Sequence, residues 1–249
     1  MLVSLNKLGV VILAAGKGTR LNSSDQPKVM LPIGGFPILA YTVSTLQKVG
    51  FTTEQICVVV GFKKEQIENY FKATVSYAVQ EEQLGTGHAA YVGIKSLPTN
   101  IEQVLVLGGD DGAFYSVDTI RNLLNEHMTN DSTLTLLTAT VDDPAGFGRV
   151  VRDDNGVRVV EKEYLTEEQK TIHEVNTGTY VFNRRWFEEI FPRLPKMRKL
   201  GEYGMNPAIT FAVEEGKKVA VIKLSDSGEW HGINTLEELQ LADKLKSIK

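Results

Sequence analysis

Short, unbroken apolar runs alternate along the chain with longer stretches whose apolar residues recur at helical spacing. The runs at 10–14, 56–60 and 104–107 are apolar almost throughout, the pattern of strands buried on both faces. Between them, 37–49 opens on Pro37 in a first-turn position and stops at Gly50, which marks the two ends of a helix. Segments 63–71 and 88–97 also carry helical spacing. Strands and helices in this order predict a parallel α/β sheet with crossover helices.

The second half has a different texture. A strand is predicted at 134–141, and 149–161 reads as a hairpin in which Asn155-Gly156 supplies the positive φ angles of a tight turn. Further strands are expected at 175–182 and 219–224, and helices at 184–191, about 202–215 and 235–248. The whole reads as one continuous mixed sheet in a single domain. Its second half forms a lobe beside the strand ends of the first, outside the carboxyl ends where such sheets bind ligands.

Composition narrows the classes. The 249 residues are 42% hydrophobic and 23% charged, enough for a large core and incompatible with a disordered or collagen-like chain. A net charge of −4 argues against a dedicated nucleic-acid binder, without excluding a local anion site. No apolar run approaches the roughly 20 residues of a membrane-spanning helix, so neither nucleic acid nor membrane is an expected partner. The stretch 8–15 has the look of a short secretory segment, but cleavage there would detach the glycine-rich loop from its strand. A reducing, cytoplasmic setting is the expectation, and the single cysteine, Cys57, reads as an inert core residue. Trp186 and Phe187 also read as core, His88 as structural, and His127, His173 and His231 lack metal-ligand spacing.

The most informative stretch is Leu13-Ala14-Ala15-Gly16-Lys17-Gly18-Thr19-Arg20. Its glycines allow close backbone approach to an anion, and its N–H groups can form a phosphate nest. It is not a Walker A loop, because Lys17 is followed by Gly18 rather than Ser or Thr. Nor is it the dinucleotide fingerprint, whose third glycine would fall at Leu21. A solvated turn remains the plain alternative for two glycines alone. The whole string, with Pro27-Lys28, resembles the signature of the sugar-nucleotide pyrophosphorylases. Gln80-Glu81-Glu82-Gln83-Leu84-Gly85-Thr86-Gly87-His88-Ala89 narrows this to the N-acetylglucosamine-1-phosphate uridylyltransferases. Gly146-Phe147-Gly148-Arg149, Glu161, Glu174-Val175-Asn176-Thr177-Gly178 and Gly232-Ile233-Asn234 follow in the same order.

The resemblance implies a Rossmann-like, mixed and mostly parallel sheet flanked by helices, the nucleotide-diphospho-sugar transferase fold. Residues up to about 130 would form the nucleotide-binding half and 131–249 the sugar-binding half. Nothing in the sequence resembles the acetyltransferase repeats of the family's bifunctional members. The implied reaction joins UTP and a sugar 1-phosphate, most readily N-acetylglucosamine 1-phosphate, into a UDP-sugar and pyrophosphate. The nucleophile is an already ionised phosphate oxygen, so no general base is needed, and cations and backbone amides must stabilise the developing charge. By resemblance, Arg20 grips the departing phosphates and Lys28 sits beside the α-phosphate, with a solvated loop lysine as the alternative. Asp110 and Asn234 would hold Mg²⁺, unless they serve only as a turn residue and a helix cap. Leu13, Ala14, Gly16, Gly18, Gly85 and Thr86 would surround the nucleotide. Gln80 and Gln83 would read the uracil edge, and Gly148, Glu161 and Asn176 would meet the sugar.

Three departures stand out. The Arg20–Lys28 spacing is one residue longer than in the family. Gly108 and Gly112 replace an aromatic and a proline around Asp110, and Gly204-Met205-Asn206-Pro207 replaces Tyr-x-Thr-Asp. A wider sugar pocket, short of hydrogen-bond partners, is the expectation. The alternatives are a transferase for glucose or another hexose 1-phosphate, or a nucleotide-sugar sensor without turnover. A cytidylyl- or molybdopterin-type transferase fits the Gln80-Gln83 segment less well.

Overall fold

The computed structural model describes residues 4–18, 21, 25–154, 156–196 and 201–248. Strands β1 (Leu8–Leu13), β4 (Ile56–Val60), β5 (Ser76–Val79) and β6 (Gln103–Gly108) pair in parallel as β6-β1-β4-β5. Antiparallel β10 (Glu174–Asn183) joins β6 to β7 (Leu134–Thr140), and β11 (Val219–Lys223) runs parallel to β7 at the far edge. The hairpin of β8 (Arg149–Asp153) and β9 (Gly156–Val160) attaches to β10. The sheet is therefore mixed and mostly parallel, as expected, and both halves of the sequence contribute to it. A separate two-stranded hairpin comprises β2 (Pro32–Ile33) and β3 (Phe36–Pro37).

Alternation along each central strand makes three layers. Val10, Ile12, Val58, Val60, Leu105 and Leu107 face one core, which also takes the apolar sides of α1 (Ile38–Val49), α2 (Lys64–Phe71) and α4 (Val117–Thr129). Val11, Cys57, Val59, Val104 and Val106 face the other. There they meet α3 (Thr86–Ser96), α5 (Arg184–Ile190) and α6 (Asn206–Glu214). The last helix, α7 (Leu236–Ser247), packs through Ala242 on a small cluster containing Ile33, Ile38 and Ile233. Strand β5 and helix α4 were not marked by the apolar pattern. Among the described residues β5 pairs only with β4, and it carries Ser76 and Tyr77 half-exposed, so its sequence lacks an unbroken apolar run.

Candidate active site

At the carboxyl ends of β1 and β6, Leu13 and Gly108 lie in register, and Gly109 N donates to Leu13 O at 2.9 Å. The loops that leave these strands are thereby strapped together, and they form the floor of a cleft of about 590 Å³. Leu13, Ala14, Gly16, Gly18, Lys28, Gln80, Gln83, Gly85, Thr86, Asp110, Gly148, Glu161, Asn176 and Asn234 all line it. Every site residue expected from sequence is thus in one cavity except Arg20, which lies outside the described residues.

Lys28 opens a single helical turn, Lys28–Met30, directly after Pro27 in extended conformation. Val29 of that turn is buried and anchors it, leaving Lys28 toward the cleft. The Lys28 ammonium forms a direct ion pair with Asp110 and donates to Asn234 Oδ1 at 3.0 Å. Asn234 is not the cap of α7. Thr235 accepts from Glu238 N, and Glu238 accepts from the backbone N–H groups of Asn234 and Thr235, so the Asn234 amide is released for the cleft. A carboxylate and an amide oxygen converge here on one positive charge. They are hard oxygen donors, and this is the donor set with which a divalent ion completed by substrate phosphates is held. Among the described residues, no cluster of three or more His, Cys, Asp or Glu side chains offers an all-protein metal cage.

The departure at Gly108 does not open the wall as expected. A Cβ there would stand 2.3 Å from Asp111 Oδ2 and 3.1 Å from Asp110 Oδ1. The Asp111 carboxylate fills the space, lying also against Gly178, where a Cβ would be 3.2 Å from the same oxygen. Asp111 is deep in the protein yet opens on the cleft. Burial, then the neighbouring Asp110 charge, raise its pKa well above the usual carboxylate range, with Lys28 opposing. Sequence reasoning passed over Asp111. The signal was the coincidence of Asp111 with a glycine three residues earlier, an exchange of one side chain for another in the same volume.

At the base end, Gln80 is buried, with Nε2 donating to Gly85 O at 3.1 Å and lying 3.0 Å from His88 Nδ1. Gln80 thus braces the loop that precedes α3, and His88 is its structural partner. Gln83 Nε2 donates to Ala15 O at 3.0 Å, tying this loop to the glycine-rich one. Gly85 has φ +98°, and a Cβ there would stand 2.6 Å from Tyr203 O, so both backbone conformation and close packing require glycine. Tyr203 N donates to Leu84 O, and Gly87 N to Tyr203 O, both at 2.7 Å. That pairing holds Tyr203 against the loop before α3, and Pro207 fixes the start of α6 at Asn206, later than the apolar spacing suggests.

The sugar end is not short of partners either. A bulge in β10 between Asn176 and Thr179, with Gly178 at φ +77°, turns Asn176 into the cleft. Gly178 N donates to Asn176 Oδ1 at 3.1 Å, and Asn176 Nδ2 donates to Tyr180 OH at 2.5 Å and Asn206 Oδ1 at 2.9 Å. Asn206 Nδ2 donates in turn to Glu161 Oε1 at 2.6 Å. Arg149 secures the preceding turn by donating to the carbonyls of Pro144 and Phe147, which sets Gly148 opposite Glu161. Asn206 was expected to mark a loss; it is the hub of this network.

Outside the cleft, Trp186 and Phe187 are core residues, and burial pushes the Cys57 thiol up to about 11. No helix among the described residues is long and apolar enough to cross a membrane. Comparison with known proteins gives the family. The chain matches the nucleotidyl transferase family over residues 9–243. It is 38% identical over 240 residues to the bifunctional protein GlmU of Carboxydothermus hydrogenoformans, and 36% identical over 244 residues to that of Acetivibrio thermocellus. These alignments cover 96% and 97% of the chain but only 52% of each relative, so the chain spans about half their length. A solved structure described as a candidate glucose-1-phosphate thymidylyltransferase from Bacillus anthracis superposes with a TM-score of 0.79. At 24% identity, covering 96% of this chain and 95% of that one, it speaks for the fold alone. The chain is a member of the nucleotidyl transferase family.

Proposed function

We propose that the protein is a sugar-1-phosphate uridylyltransferase, joining UTP and a hexose 1-phosphate to give a UDP-sugar and pyrophosphate. N-acetylglucosamine 1-phosphate is the foremost substrate. The observation that carries this reading is the meeting of Lys28, Asp110 and Asn234 in the one cleft that the Gln80–Thr86 loop and the Glu161–Asn176–Asn206 network also line. A positive centre between a base-sized end and a hydroxyl-reading end is what phosphoryl transfer between two polyanions requires. The resemblance to the N-acetylglucosamine-1-phosphate uridylyltransferases, together with 34–38% identity to several bifunctional GlmU proteins, supports the substrates named.

In this mechanism the glycine-rich loop and Arg20 receive the β- and γ-phosphates, while Gln83 and the backbone near Gly85 hold the base. Glu161, Asn176 and Gly148 orient the sugar so that its phosphate oxygen faces the α-phosphorus in line. Lys28 leaves Asp110 for the α-phosphate and neutralises charge as the bond to pyrophosphate lengthens. Asp110 and Asn234 would hold Mg²⁺, which when bound supplies further neutralisation of the phosphate oxygens. The test is a panel of sugar 1-phosphates crossed with the uridine, cytidine, thymidine and adenosine triphosphates, scored by pyrophosphate release. Turnover with UTP and N-acetylglucosamine 1-phosphate above the other pairs is expected. Tight UTP binding without turnover on any sugar would instead establish a sensor.

A further inference from the structure

Every hydrogen-bonding group in the network at the sugar end can be accounted for. Both N–H groups of Asn176 are spent, on Tyr180 and Asn206, and its oxygen accepts from Gly178 N. The Tyr180 hydroxyl accepts from Asn176 and donates to Asn206 Oδ1 at 3.0 Å. Asn206 Oδ1 thus accepts twice, and one of its N–H groups goes to Glu161 Oε1. Among the described residues, two side-chain groups of this network have no partner, the second N–H of Asn206 and Glu161 Oε2, while Asn176 Oδ1 keeps one lone pair for a ligand. The first two are a donor and an acceptor on adjacent side chains, both lining the cleft.

We propose that Asn206 is a specificity-determining residue that, with Glu161, reads two neighbouring ring hydroxyls of the sugar, one as acceptor and one as donor. This rests on the sugar-1-phosphate reading above. Hydroxyls on adjacent ring carbons present both functions on one side. A planar trans amide presents its N–H and C=O to opposite sides, so an acetamido group is not what this pair recognises. Asparagine is also required at the position: a hydroxyl side chain has one donor, and a carboxylate has none. Asn206 at the same time positions Glu161, holding one carboxylate oxygen so that the other faces Gly148, where a Cβ would lie 3.5 Å from it.

The experiment compares Asn206→Ala and Asn206→Asp with the unaltered protein by pyrophosphate-release kinetics and by calorimetry with sugar 1-phosphates, including a series of monodeoxy glucose 1-phosphates. In Asn206→Ala the KM for sugar 1-phosphate should rise about tenfold or more, with the KM for UTP within about twofold. Asn206→Asp should be worse, since its carboxylate would face Glu161. One monodeoxy substrate should bind about tenfold more weakly than its parent to the unaltered protein, yet equally with its parent to Asn206→Ala. Sugar affinity unchanged in both variants, or the KM values for sugar and UTP rising together, would overturn the inference. Absence of turnover on every sugar in the unaltered protein would instead overturn the reading it rests on, and calorimetry would still decide the role of Asn206.

Discussion

Lys28 Nζ lies 3.0 Å from Asn234 Oδ1, 206 residues away in sequence, while the same ammonium is paired with Asp110. On the proposed reading, the lysine occupies the place of the cation that Asp110 and Asn234 would hold, and in the ligand-free protein it would compete with that ion. Two opposite effects follow for Lys28→Ala. Turnover should fall by roughly 10²-fold or more, because a charge aimed at the transition state is gone. Binding of Mn²⁺ to the free protein, followed by electron paramagnetic resonance, should be tighter than in the unaltered chain. Weaker Mn²⁺ binding would contradict the competition.

Asp110 is the sole carboxylate that touches Lys28 among the described residues, so its removal frees the lysine and takes away the carboxylate proposed to hold a divalent ion. Asp110→Ala should lose several kcal/mol of transition-state stabilisation. Chelation of divalent ions should silence the unaltered protein to a similar degree. Full turnover in the presence of a chelator would remove Asp110 from this role.

Gly108 and Asp111 share one volume, since a Cβ on Gly108 would meet Asp111 Oδ2 at 2.3 Å. Gly108→Ala should therefore destabilise the fold by about 1–3 kcal/mol through overpacking against a carboxylate wedged beside Gly178. Adding Asp111→Ala should restore most of the loss, a coupling measurable by denaturant melts of the two single variants and the double variant. Additive losses would mean that the two residues do not compete for space.

The central strands and most helices were legible because their apolar residues follow one period cleanly: β4 falls on residues 56–60, the run expected. The lining of the cleft was legible too, the glycine-rich loop and Asp110 from their own chemistry and most of the rest through ordered strings that resemble a known family. What escaped was pairing across the chain. Gly108 reads as a lost wall, Asp111 goes unmarked, and Asn206 reads as a missing hydrogen-bond partner. Only the folded chain brings Asp111 over Gly108, and Asn206 between Glu161 and Asn176. Helix α4 was missed because its polar face dominates its composition, although Ser116 caps it by accepting from Thr119 N.

His127 is buried in α4 with Nδ1 2.7 Å from Thr135 Oγ1 and Nε2 3.1 Å from Gln103 Oε1. Burial lowers its pKa to about 4, so the folded chain keeps it neutral where the unfolded chain protonates it. Between pH 6.5 and 4 the unfolded state binds more protons, so stability falls as pH falls through this window, by up to about 3 kcal/mol. Thermal melts across pH 4–7 should show this slope, and His127→Gln should flatten it. An unchanged slope in the variant would assign the acid sensitivity elsewhere.

Gln83 is the residue to test for base choice. Its Nε2 is pinned on Ala15 O, which fixes the end of the amide that donates, whereas the Gln80 Nε2 is engaged by Gly85 O and His88. An amide held in one orientation can distinguish uracil, with an acceptor at position 4, from cytosine, with a donor there. A freely turning amide would accommodate both. Preference for UTP over CTP should accordingly depend on Gln83, and Gln83→Ala should reduce it by about 10- to 100-fold. Gln83→Glu should impair both nucleotides, because its carboxylate would face the Ala15 carbonyl with no donor. Gln80→Ala should act differently: by freeing the Gly85 turn it should raise the KM for every nucleoside triphosphate without changing their ranking. Steady-state kinetics with both nucleotides separates the three outcomes. Retention of full UTP preference in Gln83→Ala would shift base recognition to the backbone of the glycine-rich loop.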